Sequence, residues 1–416
     1  MKTNRFKNSK RAIYSLICLF LLNTSFGQQR IEALSYIDGK PVSIVVKNGK
    51  IAEVNRISEL PAGEDKYFVA PGLIDNQVNG FMGVSFLSEI GGDLTLEKVQ
   101  KATRALWERG VTTYLATLTS NSNEELMNLF SKFGKFRNDK SLLGSVAGFH
   151  LEGPYISPEE GYRGAHTLKY IRKPDWNEFM KLYTASGNAI MNVTVAPELD
   201  GAMDFIKKCT AKGIVVALGH HNADAEALNT AVANGAKIST HLGNGCANMI
   251  NRHLNPLWPQ LANDNLSISI ICDGFHLNAE EIRVFYKVKG SEKTIITSDV
   301  VEFGGMNPGI YKIWDGSEVE LTPEGKLMYP AEKVLYGGAS AMDRGTRHIM
   351  NVTGCSLADA IRMASTNPAE LYGLTDRGTI EPGKRADLIL FKLGDSRLEI
   401  IKTFVNGELV FDSGKK

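Results

Sequence analysis

Val146-Ala147-Gly148-Phe149-His150-Leu151-Glu152 is a mainly apolar run, one strand long, that stops at a carboxylate. Seven more runs have the same form: Phe68 to Gln77, Thr112 to Thr119, Ile190 to Glu198, Ile214 to His220, Lys237 to His241, Leu266 to Asp273 and Lys293 to Asp299. They break off at residues able to bind a metal or move a proton, and the gaps between them are long enough for a helix. Eight such runs predict an α/β chain built as a (β/α)8 TIM barrel, whose active site sits at the carboxyl ends of its strands. The chain is therefore expected to be an enzyme.

Outside the barrel the two ends of the chain carry a different idiom. From Ile31 to Val69 the pattern is strand-like and turn-rich, with Val42 to Val46 leading through Asn48-Gly49 to Ile51-Ala52-Glu53-Val54. Asn-Gly between two apolar alternations is a hairpin signal. Near the C-terminus, Ala386 to Phe391 is an apolar run and Lys402 to Val410, turning at Asn406-Gly407, is a second hairpin. Residues 28–70 and 376–416 are expected to pair into one small β-sandwich domain, with the barrel at residues 71–375 between them. Helical patterns at Leu94 to Glu108, Ala225 to Ala233 and Asp343 to Asn351 each close near a glycine, which suits a left-handed cap.

The 416 residues are 43% hydrophobic and 22% charged, enough for one large core and a satellite domain. Residues 1–27 stand apart. Lys2, Arg5, Lys7, Lys10 and Arg11 precede the apolar stretch Ala12 to Leu22, and Ser25-Phe26-Gly27 offers a small-x-small cleavage site, the pattern of a secretory signal peptide. An apolar run of about 11 residues is too short for roughly 30 Å of hydrocarbon, which argues against a membrane anchor. Removing this segment takes away five positive and no negative charges, turning the formal net charge of +1 into −4. A nearly neutral, mildly acidic protein gives no electrostatic case for nucleic acid or for an anionic membrane. The mature protein is expected to be exported, periplasmic or secreted. Its four cysteines, Cys209, Cys246, Cys272 and Cys355, are widely spaced without a metal-type motif and read mainly as packing residues.

The chemistry concentrates where the runs end: Asp75-Asn76-Gln77-Val78-Asn79-Gly80, His150-Leu151-Glu152-Gly153-Pro154, Gly219-His220-His221-Asn222, Thr240-His241-Leu242-Gly243-Asn244 and Ser298-Asp299. Glu152, His220 and His241 can converge on one divalent ion through an oxygen and two nitrogens, leaving a position open as a catalytic zinc requires. Asp299 can approach from the opposite wall as acid and base. Taken in order, these segments and the C-terminal Gly383-Lys384-Arg385-Ala386-Asp387-Leu388 resemble the amidohydrolase superfamily, and within it the N-acetylglucosamine-6-phosphate deacetylases, over nearly the whole chain after residue 43.

The resemblance implies metal-dependent hydrolysis of the N-acetyl group of an amino sugar, releasing acetate and a free amine. It matches Glu152, His220 and His241 to the metal ligands and Asp299 to the acid/base. His166 matches a histidine that polarises the acetamide carbonyl, and His276 a substrate-binding histidine. Asn244 and Gly245 match a loop whose backbone amides face the anionic end of the sugar. Arg252 falls where a phosphate-binding arginine crosses a homodimer interface. Many superfamily members end strand one in His-x-His, which holds a second metal, whereas this chain has Gln77-Val78-Asn79. Amides compete poorly with imidazole and carboxylate, so one divalent ion, zinc, is expected, with Gln77 bonded to the attacking water.

Export also bears on the substrate, because phosphorylated amino sugars are normally cytoplasmic. Two other readings stand beside the deacetylase: an exported amidohydrolase acting on another N-acyl compound or a cyclic amide, and a non-catalytic sugar-binding barrel. The retained Asp299 disfavours the second.

Overall fold

The computed structural model describes residues 28–61, 66–87, 93–313, 316–330 and 334–415, so the expected signal peptide lies outside the described residues. Eight parallel strands follow one another around a barrel: Leu73–Val78, Val111–Thr119, Val146–Glu152, Ile190–Val195, Val215–Leu218, Ile238–Ser239, Ser267–Ile271 and Thr294–Thr297. These strands are apolar runs rather than alternations because parallel strands are covered on both faces, inside by the barrel core and outside by helices. Every residue of the first and fifth is buried.

The seam between the eighth strand and the first is closed largely by side chains. Asp75 accepts from the Ser298 hydroxyl at 2.5 Å, the Ser298 backbone N–H at 3.2 Å and the Thr297 hydroxyl at 3.3 Å. Beyond it the Asn79 N–H reaches the Val300 carbonyl at 2.8 Å. Burial pushes the Asp75 carboxyl up to about 6 even though these bonds favour its charged form.

The outer helices form where the periodicity predicts. Leu96–Trp107 turns Val99, Ala102, Thr103, Leu106 and Trp107 inward, a 3.6-residue stripe, and is capped by the Thr95 side chain on the Lys98 N–H. Ala225–Ala233 is capped by Asp224, and Ala279–Lys289 opens on an Asn278/Glu281 capping box. The helix expected at Asp343 to Asn351 runs from Met342 to Thr353 and ends on left-handed Gly354. Gly345 inside it is a close-packing residue: a Cβ there would stand 3.1 Å from Ile296 Cγ2.

The chain ends form the small domain as one curled sheet of seven strands. In spatial order these are Glu408–Asp412, Leu398–Val405, Leu388–Leu393, Phe68–Pro71, Gln29–Ser35, Pro41–Lys47 and Lys50–Arg56. Ile31, Ile44, Val46 and Val69 from the N-terminal part share one core with Leu388, Leu390 and Phe404 from the C-terminal part. The alternate residues Ile389, Phe391, Leu398 and Ile400 join the barrel core. The period of two thus glues the sheet to itself on one face and to the barrel on the other. The curl brings the two Asn-Gly turns together: a Cβ on Gly49, at φ +74°, would lie 2.8 Å from the Asn406 carbonyl oxygen.

One element has no counterpart in the sequence reading. After the eighth barrel strand, Gly309–Lys312, Glu318–Leu321, Leu327–Tyr329 and Val334–Leu335 form a four-stranded antiparallel sheet over Phe303, Ile313, Val319 and Leu327. Its strands of four residues or fewer are too short for an alternation to stand out. Among the described residues no helix is long and apolar enough to cross a membrane, and the four cysteines are free, Cys209 and Cys272 buried.

Candidate active site

Three residues that end barrel strands share an unusual backbone. His220 has φ +53°, His241 +26° and Asp299 +48°, the left-handed region that non-glycine residues seldom occupy. Each follows its strand by two residues, and the local structure secures the turn. The His241 N–H donates to Ser269 Oγ at 2.8 Å, and that hydroxyl donates to the Ser239 carbonyl. The Gly245 loop lies directly against His220: a Cβ on Gly245 would stand 2.8 Å from the His220 backbone nitrogen. Such conformations cost about 1–3 kcal/mol each and persist where the surroundings over-determine them, commonly at functional sites.

The side chains they carry converge. His241 Nε2 lies 2.8 Å from Glu152 Oε1, His220 Nε2 lies 3.4 Å from the same oxygen, and the two Nε2 atoms are 3.2 Å apart. All three residues are buried, and one ligand atom from each falls within 4.8 Å of the others. His220 Nδ1–H donates to the Tyr162 carbonyl at 2.9 Å, which fixes the tautomer and turns the Nε2 lone pair toward the cluster. Burial alone would raise the Glu152 pKa, but the adjoining His220 and His241 rings outweigh it and hold the carboxyl well below its usual range. This donor set of one carboxylate and two imidazoles fits a divalent ion of the zinc class.

Asp299 faces this cluster. Its Oδ1 accepts from Gln77 Nε2 at 2.9 Å and from Asn79 Nδ2 at 2.7 Å. Burial, and after it the negative charge of Glu152, push the Asp299 carboxyl up to about 6. Gln77, expected on the attacking water, thus acts on the carboxylate, and Asn79 joins it. The two amides at the His-x-His positions hold the candidate acid/base through one oxygen.

His166 reaches the same point from the loop after strand three. Its ring meets His220 edge-on at 4.6 Å between centroids, and its Nδ1 lies 2.9 Å from Ser120 Oγ. Burial and the neighbouring His220 push its pKa down to about 3, so the imidazole is neutral. A Cβ on Gly153 would overlap Ser120 Oγ, so glycine there admits the contact. His276 is held by Asp273, whose Oδ2 lies 2.8 Å from its Nδ1 while Oδ1 accepts the backbone N–H groups of Phe275 and His276. Although burial opposes it, the adjoining His276 ring and the backbone N–H groups of His276 and Phe275 hold the Asp273 carboxyl below its usual range.

The remaining expected residues are less tightly gathered. The Asn244 N–H is taken by the His241 carbonyl at 3.0 Å and its side chain donates to the same oxygen. Arg252 stands on an exposed loop, and among the described residues no hydrogen bond or ion pair engages its guanidinium. Ser120 and the Tyr162 carbonyl were not singled out in the sequence, and Asn79 and Asp273 were marked there only as a replaced ligand position and as the end of an apolar run. Asn79 shares the strand face of Gln77 by the period of two, a usable signal. A backbone carbonyl and a lone serine after a strand offer none. His150 bonds Thr194 Oγ1 at 2.8 Å beneath the site, and His221 is buried with Nδ1 accepting from the Ala223 N–H.

Known proteins resemble this chain in sequence and in fold. The profile of the Amidohydrolase family matches residues 68–410. The N-acetylglucosamine-6-phosphate deacetylase of Rattus norvegicus is 33% identical over 359 residues, 83% of this chain and 84% of that one. That of Bacillus subtilis is 30% identical over 381 residues, 88% and 92% of the two chains. Among solved structures, the Thermotoga maritima enzyme of the same name superposes with a TM-score of 0.80 at 28% identity, covering 92% of this chain and all of that one. A Mycobacterium smegmatis variant in complex with N-acetyl-D-glucosamine-6-phosphate gives 0.81 at 25% identity over 92% and 99%. The protein is a metal-dependent hydrolase of amide bonds and belongs to the N-acetylglucosamine-6-phosphate deacetylase family of the amidohydrolases.

Proposed function

We propose that this protein removes the N-acetyl group from an N-acetylglucosamine-type amino sugar in an exported compartment, with one zinc ion held by Glu152, His220 and His241. The observation that carries the reading is the placement of Asp299 against the three-residue cluster, with a neutral His166 packed on His220. A bound divalent ion supplies Lewis acidity and brings water toward ionisation near neutral pH.

The protein's own groups do the rest. Asp299 takes the proton of the attacking water and later delivers it to the departing nitrogen, because an amine leaves poorly as an anion. Gln77 and Asn79 occupy one carboxylate oxygen and so direct the other toward the reaction. With the Ser120 hydroxyl donating to Nδ1, His166 carries its proton on Nε2 and can donate it as a hydrogen bond to the acetamide oxygen as charge develops there. His276, its Nδ1–H tied to Asp273, keeps Nε2 as an acceptor for a sugar hydroxyl.

Arg252, with Asn244 and Gly245, is assigned to the anionic end of the substrate. Met249 and Leu254, 90% and 83% exposed, flank Arg252, and half-exposed Trp258 caps its carbonyl. This apolar loop supports a homodimer in which Arg252 serves the partner's site. The deciding experiment measures acetate release by the metal-loaded protein from N-acetylglucosamine with and without a 6-phosphate. Turnover that depends on the phosphate supports Arg252 as a substrate ligand. Turnover without it indicates a site retuned to unphosphorylated sugar, and none on either sugar overturns the proposal.

A further inference from the structure

Away from the reaction centre, a cavity of about 160 Å³ lies where three parts of the molecule meet: the barrel helices, the four-stranded insert and the terminal sheet. Its lining includes three guanidinium groups, Arg109 after the helix Leu96–Trp107, Arg344 in the first turn of Met342–Thr353, and Arg397 at the start of a strand of the curled sheet. The internal counter-charge is the buried Asp343 carboxylate, which also lines the cavity and pairs with two of the three arginines. Asp343, with its side chain 3% exposed, lies 3.7 Å from Arg109 and 3.6 Å from Arg397, beyond hydrogen-bond range of both. Glu324 is turned onto the Thr322 hydroxyl and its own backbone. Arg109 and Arg397 make no side-chain hydrogen bond among the described residues, although each is more than half covered. Arg344 spends Nε on the Asp273 carbonyl and Nη1 on the Glu324 carbonyl.

The helix that begins here adds to the positive potential. Met342–Thr353 starts at Ala341 without a side-chain N-cap, though the Asp343 carboxylate in its first turn takes the Arg344 N–H and offsets part of that potential, and both Ala341 and Ser340 line the cavity. Phe81 and Met306 form an apolar wall that lowers the local dielectric and strengthens any charge contact made inside. The volume is about five waters' worth, which suits a tetrahedral oxyanion and its hydration and is too small for a hexose phosphate.

We propose that this cavity is a second anion site, built for a small oxyanion of the inorganic phosphate class and separate from the reaction centre. Planar guanidinium forks are the side chains that match such oxygens bidentately. The site also has a mechanical connection. Arg344 holds the Asp273 carbonyl at 3.0 Å and stacks on the Phe275 ring at 4.8 Å, and Asp273 orients His276. An anion drawing Arg344 toward the cavity therefore acts on the backbone that presents His276.

The test is independent of the reaction catalysed. Inorganic phosphate is titrated calorimetrically into the purified full chain and into R397Q and R109Q, with circular dichroism confirming that each variant is folded. Crystals soaked in tungstate then locate the anion by its anomalous signal. The expected result is a binding component weakened at least tenfold in both variants, and a tungstate peak between the three arginines. Phosphate binding unchanged in both variants, or tungstate found only elsewhere, overturns the proposal. Phosphate bound at the Arg252 loop would be insensitive to R397Q and so is told apart.

Discussion

At the scale of single residues, the site rests on one carboxylate kept away from its ordinary behaviour. Asp299→Asn keeps the three ligands and removes the proton carrier, so metal content measured by atomic absorption is expected to stay at one per chain while kcat falls by about 10²–10⁴-fold. His220→Ala or His241→Ala is expected to lose both metal and turnover. Asn79→Ala withdraws a 2.7 Å hydrogen bond that favours the charged form of Asp299. The acid limb of its kcat/KM profile is therefore expected to move to higher pH, and an unmoved limb would show that the amide does not tune the acid. Glu302 gives a stability prediction. It is 4% exposed, and burial pushes its carboxyl up to about 7. The folded chain binds this proton more tightly than the unfolded one, so stability is full below about 4.5 and is lost as pH rises through about 7. Glu302→Gln is expected to melt several degrees higher than the parent at pH 8, on the order of 2 kcal/mol, and to match it near pH 4.5. The cluster of Glu152, His220 and His241 and the facing Asp299 were legible in the sequence because ionisable groups interrupt apolar strands. Ser120 and the Tyr162 carbonyl were not, because a contact made by a backbone atom or by a short polar side chain leaves no trace in residue type.

At the scale of elements, glycine marks where two segments touch. Gly49→Ala would force a side chain into a left-handed position and within 2.8 Å of the Asn406 carbonyl. The expected cost is about 2 kcal/mol or more, read as a lower denaturant midpoint, with kcat per folded molecule unchanged because the turn is remote from the barrel mouth. The barrel strands and the two hairpins were legible for opposite reasons, the first as unbroken apolar runs and the second as alternations around Asn-Gly. The four-stranded insert fell between these patterns. Gly309–Lys312 buries no side chain fully, and Leu327–Tyr329 spans three residues, so neither period had room to repeat. Gly345 weakens a helix by propensity, yet its missing side chain is what lets Met342–Thr353 lie against Ile296.

At the scale of the whole molecule, the candidate metal centre is mounted on a fold with an extensive core of its own. Its ligands sit at strand ends above a continuous core that includes Phe86, Phe130, Phe133 and Phe149 in edge-to-face contact. Chelation is therefore expected to abolish turnover and lower the melting temperature by mass action, while the far-ultraviolet circular dichroism at 25 °C stays that of the loaded protein. Collapse of that signal on chelation would mean that the metal organises the barrel, as it does in small zinc domains.

The curled sheet also imposes an order on the life of the chain. Phe68–Pro71 must pair with Leu388–Leu393, in a register that sets Pro71 opposite Leu388. At about 5–20 residues per second of synthesis, the first half of that sheet emerges roughly 15–60 s before its partner exists. Throughout that interval one strand has an unpaired edge, which is the form of backbone most prone to join the wrong neighbour. Whatever escorts the nascent protein has to shield that edge until the last hairpin is made.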